Sequence, residues 1–229
     1  MKKLLAVDGN SIINRAFYGI RPLSTSDGLP TNAIYGTVSI LAKHIEALKP
    51  DYCVVAYDIK EPTFRHEMYD KYKAGRRPMP DELAAQFDTA KECAEILGFV
   101  PLSIPGYEAD DILGTLARAA AEDGRIETYI VTGDRDSLQL IDRNTTVLLE
   151  TNSGTVKYDT RKFIETYGIR PEQFIDVKAL MGDSSDNIPG VPGIGEKTAL
   201  KLISEFGSLD ALYEKLEAAA LTPSVKNKL

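Results

Sequence analysis

The sequence predicts an α/β fold: an open, mainly parallel sheet with flanking helices, followed by a small helical subdomain. Three observations carry that expectation. The runs at 3–7 (KLLAV), 52–57 (YCVVAY), 128–131 (TYIV) and 146–149 (TVLL) are short and apolar almost throughout, the pattern of parallel strands covered on both faces. Between them, apolar residues recur at helical spacing: Ile34, Val38, Leu41, Ile45 and Leu48, then Leu83, Phe87, Ala90, Ala94 and Leu97. Ile112, Leu113, Leu116 and Ala120 mark a third helix, starting near Tyr107. Strands that alternate with helices pair in parallel through crossover connections. From about residue 161 the strand-like runs stop, and short helical stretches joined by Gly/Pro turns take over. The expected division is a core of residues 1–160 and a helical subdomain of residues 161–229.

Composition sets the bounds. With 229 residues, 43% hydrophobic and 27% charged, the chain is large enough to bury a core of its own. No apolar run approaches the ~20 residues that cross a bilayer. The apolar part of MKKLLAVDGN is too short for a signal peptide, so the expectation is a cytoplasmic protein with no membrane partner. Cys53 and Cys93 each lie in an apolar setting and are expected as reduced core residues. The net charge of −7, taken alone, argues against nucleic acid. Bound divalent cations would reverse that conclusion.

The acids fall at particular places. Asp8, Asp58 and the pair Asp134 and Asp136 close three different strand-like runs. The carboxyl ends of parallel strands line the ligand crevice of an open sheet, so three strands deliver carboxylates to one edge. Glu108, Asp110 and Asp111 open a helix, where acids also serve simply to complement the helix dipole. Gathered carboxylates repel unless cations lie among them. Oxygen donors without His or Cys suit Mg²⁺ or Mn²⁺ rather than zinc.

Asp183 and Asp186 in MGDSSDNIPGVPGIG are spaced to share one face and to add to that acid set. The following GVPGIGEKTA has the form of a helix-hairpin-helix. Gly190, Gly193 and Gly195 let backbone approach a phosphate, a helix from near Glu196 points free N–H groups at it, and Lys197 and Thr198 lie in its first turn. An ordinary tight turn between two helices is the plainer alternative. Between residues 60 and 80, basic residues interleave with Tyr69 and Tyr72, and few apolar residues are available to anchor the segment. Tyr72 and Arg77 in YKAGRR suit a phosphate backbone with stacked bases.

These motifs together resemble the 5′ nuclease (flap endonuclease) superfamily, most closely the bacterial 5′→3′ exonuclease domains that precede a DNA polymerase. The resemblance runs from VDGNSIINRAFY through VVAYDIKEPTFRHEMYDKYKAGRRPMP, GYEADDILGTLA and VTGDRDSLQL to GDSSDNIPGVPGIGEKTA. It implies a PIN-like core with a basic arch segment at about 60–105. It implies that Asp8, Asp58, Glu108, Asp110 and Asp111, with Asp134 and Asp136, hold one divalent ion, and that Asp183 and Asp186 hold a second. Lys73 and Arg76 match the family's catalytic basic pair at the scissile phosphate. Backbone carbonyls near Gly190, Val191 and Ile194 match a K⁺ site. The implied activity is Mg²⁺- or Mn²⁺-dependent hydrolysis of DNA at 5′ flaps, nicks, gaps or RNA-primed ends, in primer removal and repair, by a monomer attached to a polymerase domain. Family domains continue for further helices beyond TPSVKNKL, so the chain is expected to be a fragment. Two other readings stay in view. A haloacid-dehalogenase-type phosphatase needs a second Asp where this chain has Asn10. A structure-specific DNA-binding module without catalysis would keep the hairpin and the basic segment.

Overall fold

A computed structural model describes residues 1–216, 223–226 and 229. Within the terminal TPSVKNKL stretch, Thr222, Asn227 and Lys228 lie outside the described residues. The chain forms two compact units: residues 1–64 with 78–159, and residues 65–77 with 160–229.

The first unit is built on a six-stranded sheet. Its elements are β1 (Lys2–Asp8), α1 (Gly9–Gly19), α2 (Asn32–Leu48), β2 (Tyr52–Ala56), α3 (Phe64–Met68, whose last four residues belong to the second unit), α4 (Asp81–Ile96), β3 (Val100–Leu102), α5 (Ala109–Asp123), β4 (Ile126–Thr132), β5 (Thr145–Thr151) and β6 (Gly154–Tyr158). The strand order is β3-β2-β1-β4-β5-β6. The first five strands run parallel, and β6 returns antiparallel beside β5. Steps from β1 to β2 and from β2 to β3 move one way across the sheet, and the step from β3 to β4 moves back. Right-handed crossovers therefore place α1, α2 and α4 on one face and α5 on the other. α1, α2 and α4 do pack on one another, while α5 packs on β1 and β4. Leu5, Val7, Val55 and Val131 from the strands meet Ile12, Ile13, Leu41, Leu83 and Ala90 from the helices in one buried core.

All four expected strands and all three expected helices are present. The structure adds α1, which starts directly on Asp8, and two edge strands, β3 and β6. β3 is three residues long and contains a proline; β6 alternates polar and apolar side chains as an outer antiparallel strand does. Both cysteines are unpaired, yet each is only partly buried, so neither is the core residue its neighbours suggested. Cys53 packs at the margin of the core.

The second unit contains α6 (Thr160–Tyr167), α7 (Phe174–Met181), β7 (Gly182–Asp183), β8 (Ile188–Pro189), α8 (Glu196–Phe206) and α9 (Leu209–Glu214). Phe163, Tyr167 and Phe174 form an aromatic cluster, with ring centroids 4.7–5.5 Å apart. Val177, Leu180, Ala199, Leu202, Ile203 and Leu212 are buried and give the helices their common core. The two-residue strands β7 and β8 correct the expectation that strands end before residue 161. No helix among the described residues is long and apolar enough to cross a membrane.

Candidate active site

The sheet reverses its direction of growth between β1 and β4. Such a switch point opens a crevice at the carboxyl ends of the two strands. Asp8 is the last residue of β1, one position beyond the Val7–Val131 pairing with β4. Asp134 lies two residues past the end of β4, and Asp58 two residues past the end of β2. The three strand-end acids thus stand on the edge expected of them.

Each acid also has a local duty. Asp8 caps α1: its Oδ1 accepts the Ser11 N–H at 2.9 Å, and its Oδ2 accepts the Thr132 hydroxyl at 2.9 Å. The Asp134 N–H donates to Thr132 Oγ1 at 3.0 Å, and Asp134 Oδ1 accepts the Asp136 N–H at 2.9 Å. Asp58 Oδ1 accepts the Ala109 N–H at 2.7 Å, joining the end of β2 to the start of α5. Asp111 Oδ2 accepts the Glu108 N–H at 2.9 Å, one half of a capping box. Asp110 has the loosest tie, a 3.4 Å contact from the Ser137 hydroxyl.

Three small polar residues outside the candidate site set hold these loops together. Asn10 Oδ1 accepts the Asp58 N–H at 3.1 Å, so the residue standing where a phosphatase would carry its general acid is instead engaged in shaping the acid edge. Ser11 Oγ accepts the Gly133 N–H at 2.8 Å. Thr132 links Asp8 to Asp134. Small polar residues within three positions of a strand-end aspartate, in DGNS and VTGD, were the available signal.

The electrostatics show what this gathering costs. Burial, with repulsion from Asp58 and Asp134, lifts the Asp8 carboxyl to about 6 against its hydrogen bonds from Ser11 and Thr132. Asp110 keeps partial access to solvent, but its carboxyl lies deep among protein atoms. Burial, then repulsion from Asp8, Asp134, Asp58 and Asp136, pushes it to about 8. Raised carboxyl values in a cleft mark acids collected without compensating positive charge. Oxygen donors in this state suit a hard divalent cation. Among the described residues, no group of three or more His, Cys, Asp or Glu side chains is arranged so as to hold a metal ion. The carboxylates share an edge without closing on one point.

The remaining candidates lie in the second unit. Asp183 accepts Lys178 Nζ at 2.7 Å and the Ser185 N–H and hydroxyl at 2.8 and 2.5 Å. Burial opposes these bonds, but together they hold its carboxyl well below the usual range. Asp186 accepts the Tyr72 hydroxyl at 3.0 Å and Arg76 Nη2 at 2.5 Å, while its carbonyl accepts the Lys73 N–H at 2.9 Å. The Asn187 amide donates to the Lys71 carbonyl at 2.8 Å. The basic segment is therefore fastened to the loop between β7 and β8. Tyr72 is 5% exposed, with His66 edge-on at 5.1 Å and Lys73 Nζ 4.9 Å from its ring centroid. It supplies the anchor that the segment seemed to lack, and little of its ring is left for a base. Lys73 holds a left-handed φ of 55°, and Arg77 is exposed.

The hairpin spans α7 to α8. β7 and β8 pair, the Val191 N–H donates to the Leu180 carbonyl at 2.8 Å, and the Ile194 N–H donates to the Val191 carbonyl at 2.9 Å. Ile194 is buried; Gly193 turns the chain at φ 76°; Gly195 caps α8 with Lys197 exposed and Thr198 half-buried behind it. Gly190 has a packing duty: a Cβ there would stand 2.3 Å from the Gly182 nitrogen. Gly190→Ala is expected to cost about 1–3 kcal/mol of stability in urea unfolding, because backbone meets backbone and neither can yield. An unchanged midpoint would show that the hairpin can open without loss.

Residues 3–168 match the family described as the 5'-3' exonuclease, N-terminal resolvase-like domain, and residues 169–229 match the 5'-3' exonuclease, C-terminal SAM fold. DNA polymerase I of Caldicellulosiruptor bescii is 43% identical over 231 residues, covering 99% of this chain and 27% of its own length. The thermostable DNA polymerase I of Thermus thermophilus is 45% identical over 229 residues, 99% of this chain and 26% of its own. The chain spans about a quarter of the length of these curated relatives. Among solved structures, a flap endonuclease of bacteriophage T5, in a pseudo-enzyme–product complex with DNA and metal ions, superposes with a TM-score of 0.76. It is 25% identical and covers 99% of this chain and 83% of its own. Flap endonuclease-1 from Methanococcus jannaschii shares the fold at a TM-score of 0.58 and 22% identity, over 93% of this chain and 74% of its own.

Proposed function

The chain belongs to the 5′-3′ exonuclease family, and on that premise we propose that it hydrolyses DNA phosphodiester bonds at 5′ flaps, nicks, gaps and RNA-primed ends, as a cytoplasmic, monomeric nuclease unit attached to a polymerase domain. The observation that carries the reading is the acid edge at the β1/β4 switch point, where carboxylates are held together against their own repulsion.

Asp8, Asp58, Glu108, Asp110, Asp111, Asp134 and Asp136 are the side chains that would hold a divalent cation, Mg²⁺ or Mn²⁺, on the first unit. Asp183 and Asp186 offer a second carboxylate pair on the helical unit. A bound divalent ion supplies Lewis acidity at a phosphoryl oxygen and lowers the pKa of water. The protein's own part is to fix the acids. α1 and α5 start on Asp8 and Glu108, so at these two positions the helix cap would also be a metal ligand. Lys73 and Arg76 present positive charge for the transferring phosphate. The Gly193–Thr198 turn offers backbone N–H groups and Lys197 to the DNA backbone without reading sequence, and carbonyls near Gly190, Val191 and Ile194 would take K⁺. The T5 enzyme's complex with DNA and metal ions supports both the substrate class and the need for cations.

The deciding experiment is cleavage of a labelled 5′-flap duplex in Mg²⁺ and in EDTA. Mg²⁺-dependent release of the flap is expected, and Lys73→Ala should slow single-turnover cleavage by roughly 10²–10³-fold. Binding of the flap duplex without cleavage would replace the nuclease by a DNA-binding module. A Lys73→Ala effect confined to affinity would move that residue from chemistry to binding.

A further inference from the structure

We infer that Thr132 is a positioning residue for the proposed cleavage, its hydroxyl tying Asp8 to Asp134 across the switch point and so setting the direction in which Asp8 offers its remaining lone pairs to a divalent cation. The inference rests on the nuclease reading of this edge. Thr132 is fully buried at the end of β4. A hydroxyl carries a single proton, and here it is given to Asp8 Oδ2 at 2.9 Å. The same oxygen accepts the Asp134 N–H at 3.0 Å. Ser11 laces the two turns a second time, with its N–H on Asp8 Oδ1 and its Oγ receiving the Gly133 N–H. Both Asp8 oxygens therefore have a fixed donor, and the carboxylate cannot rotate without breaking one of them.

The same strand contains the contrast that separates this role from packing. Thr128 lies on the same face of β4 four residues earlier and is also fully buried, yet its hydroxyl has no hydrogen-bond partner among the described residues. Valine would fill either position equally well in a strand. Burying a hydroxyl costs free energy unless it is bonded, so the Thr132 hydroxyl is placed for its bridge. Groups that orient a metal-ligating side chain typically change metal affinity or activity by 10- to 100-fold when removed.

The test uses the whole chain and three variants: Thr132→Val, Thr132→Ser and Thr128→Val. Mn²⁺ affinity is read by titration calorimetry without DNA, and kcat and KM by flap cleavage in Mg²⁺. Thr132→Val is expected to weaken Mn²⁺ binding by roughly 10- to 100-fold and to lower kcat by a similar factor with KM for DNA unchanged. Thr132→Ser should recover to within a few-fold, and Thr128→Val should match the parent protein in both. Parent-like Mn²⁺ binding by Thr132→Val overturns the inference, as does a Thr132→Ser as impaired as Thr132→Val. If Thr132→Val does not fold, Thr132→Ala against Thr132→Ser makes the same comparison, since these differ by the hydroxyl alone. A parent protein that neither binds Mn²⁺ nor cuts DNA refutes the nuclease reading itself, an outcome distinct from any difference among the variants.

Discussion

Asp8→Asn is expected to lower Mg²⁺-dependent flap cleavage by roughly 10²–10³-fold while leaving the fold intact. Asparagine is as good an N-cap as aspartate, so α1 keeps the Ser11 N–H bond that Asp8 now accepts. The single amide oxygen cannot serve both donors, so with the Ser11 bond kept, the Thr132 hydroxyl loses its carboxylate acceptor and faces the amide NH2, from which its oxygen can accept. What disappears is the negative charge at the strand end nearest the switch point, together with part of the repulsion that burdens Asp110. Single-turnover cleavage and circular dichroism on one preparation separate the two effects. Undiminished cleavage would remove Asp8 from the site. Loss of fold would show that its cap, not its charge, is indispensable.

Asp110→Asn should do two opposite things at pH 8: abolish cleavage and stabilise the metal-free protein. Burial and the neighbouring carboxylates raise this carboxyl from its ordinary 3.8 to about 8. Below pH 4 both folded and unfolded chains hold the proton, and the group is neutral in the balance. Between pH 4 and 8 the folded chain retains a proton that the unfolded chain releases, so stability falls as pH rises. Asp8 adds to the fall between pH 4 and about 6. Glu150, brought down to about 2 by His44, Thr155 and Lys43 against its burial, acts the other way, but its contribution is lost only as pH falls below about 4.5. In EDTA, the melting temperature of Asp110→Asn should exceed that of the parent by about 5 °C or more at pH 8 and match it at pH 4. Mg²⁺ should narrow the gap by stabilising only the parent. Equal melting temperatures at pH 8 without metal would mean that the acids do not burden one another.

What the sequence made legible depends on how locally each feature is encoded. Central strands are covered on both faces and must be apolar throughout, so β1, β2, β4 and β5 announce themselves. β3 is three residues with Pro101 in its middle, and β6 is polar on alternate positions, because an edge strand escapes that demand. The acids were legible because strand ends are where an α/β sheet presents chemistry. Their partners were not. That Thr132 takes Asp8, that Asn10 takes the Asp58 backbone, and that Asp186 takes Tyr72 and Arg76 are pairings over 48 to 124 positions that no local pattern specifies. Tyr72 shows the limit most clearly. A tyrosine among arginines and lysines fits a base-stacking surface, and only the fold reveals a buried ring whose hydroxyl is spent on a carboxylate. Gly190 carries the same lesson, since a glycine required by a neighbouring backbone reads in sequence like one that invites a phosphate.

The fastening of Tyr72 to Asp186 also governs how the chain can be assembled. These residues are 114 positions apart, and most of the intervening chain belongs to the other unit. A ribosome extrudes residues 65–77 long before the helices that receive them, so the segment must wait while β3, β4 and β5 find their places beside β1 and β2. Closing so long a loop in an unfolded chain carries an entropic cost that grows with its length. Condensation of residues 78–159 shortens the flexible part of that loop, and the cost falls with it. The helical unit is thus discontinuous in the gene product. No single truncation yields all of it, because one of its pieces is threaded through the sequence of its neighbour.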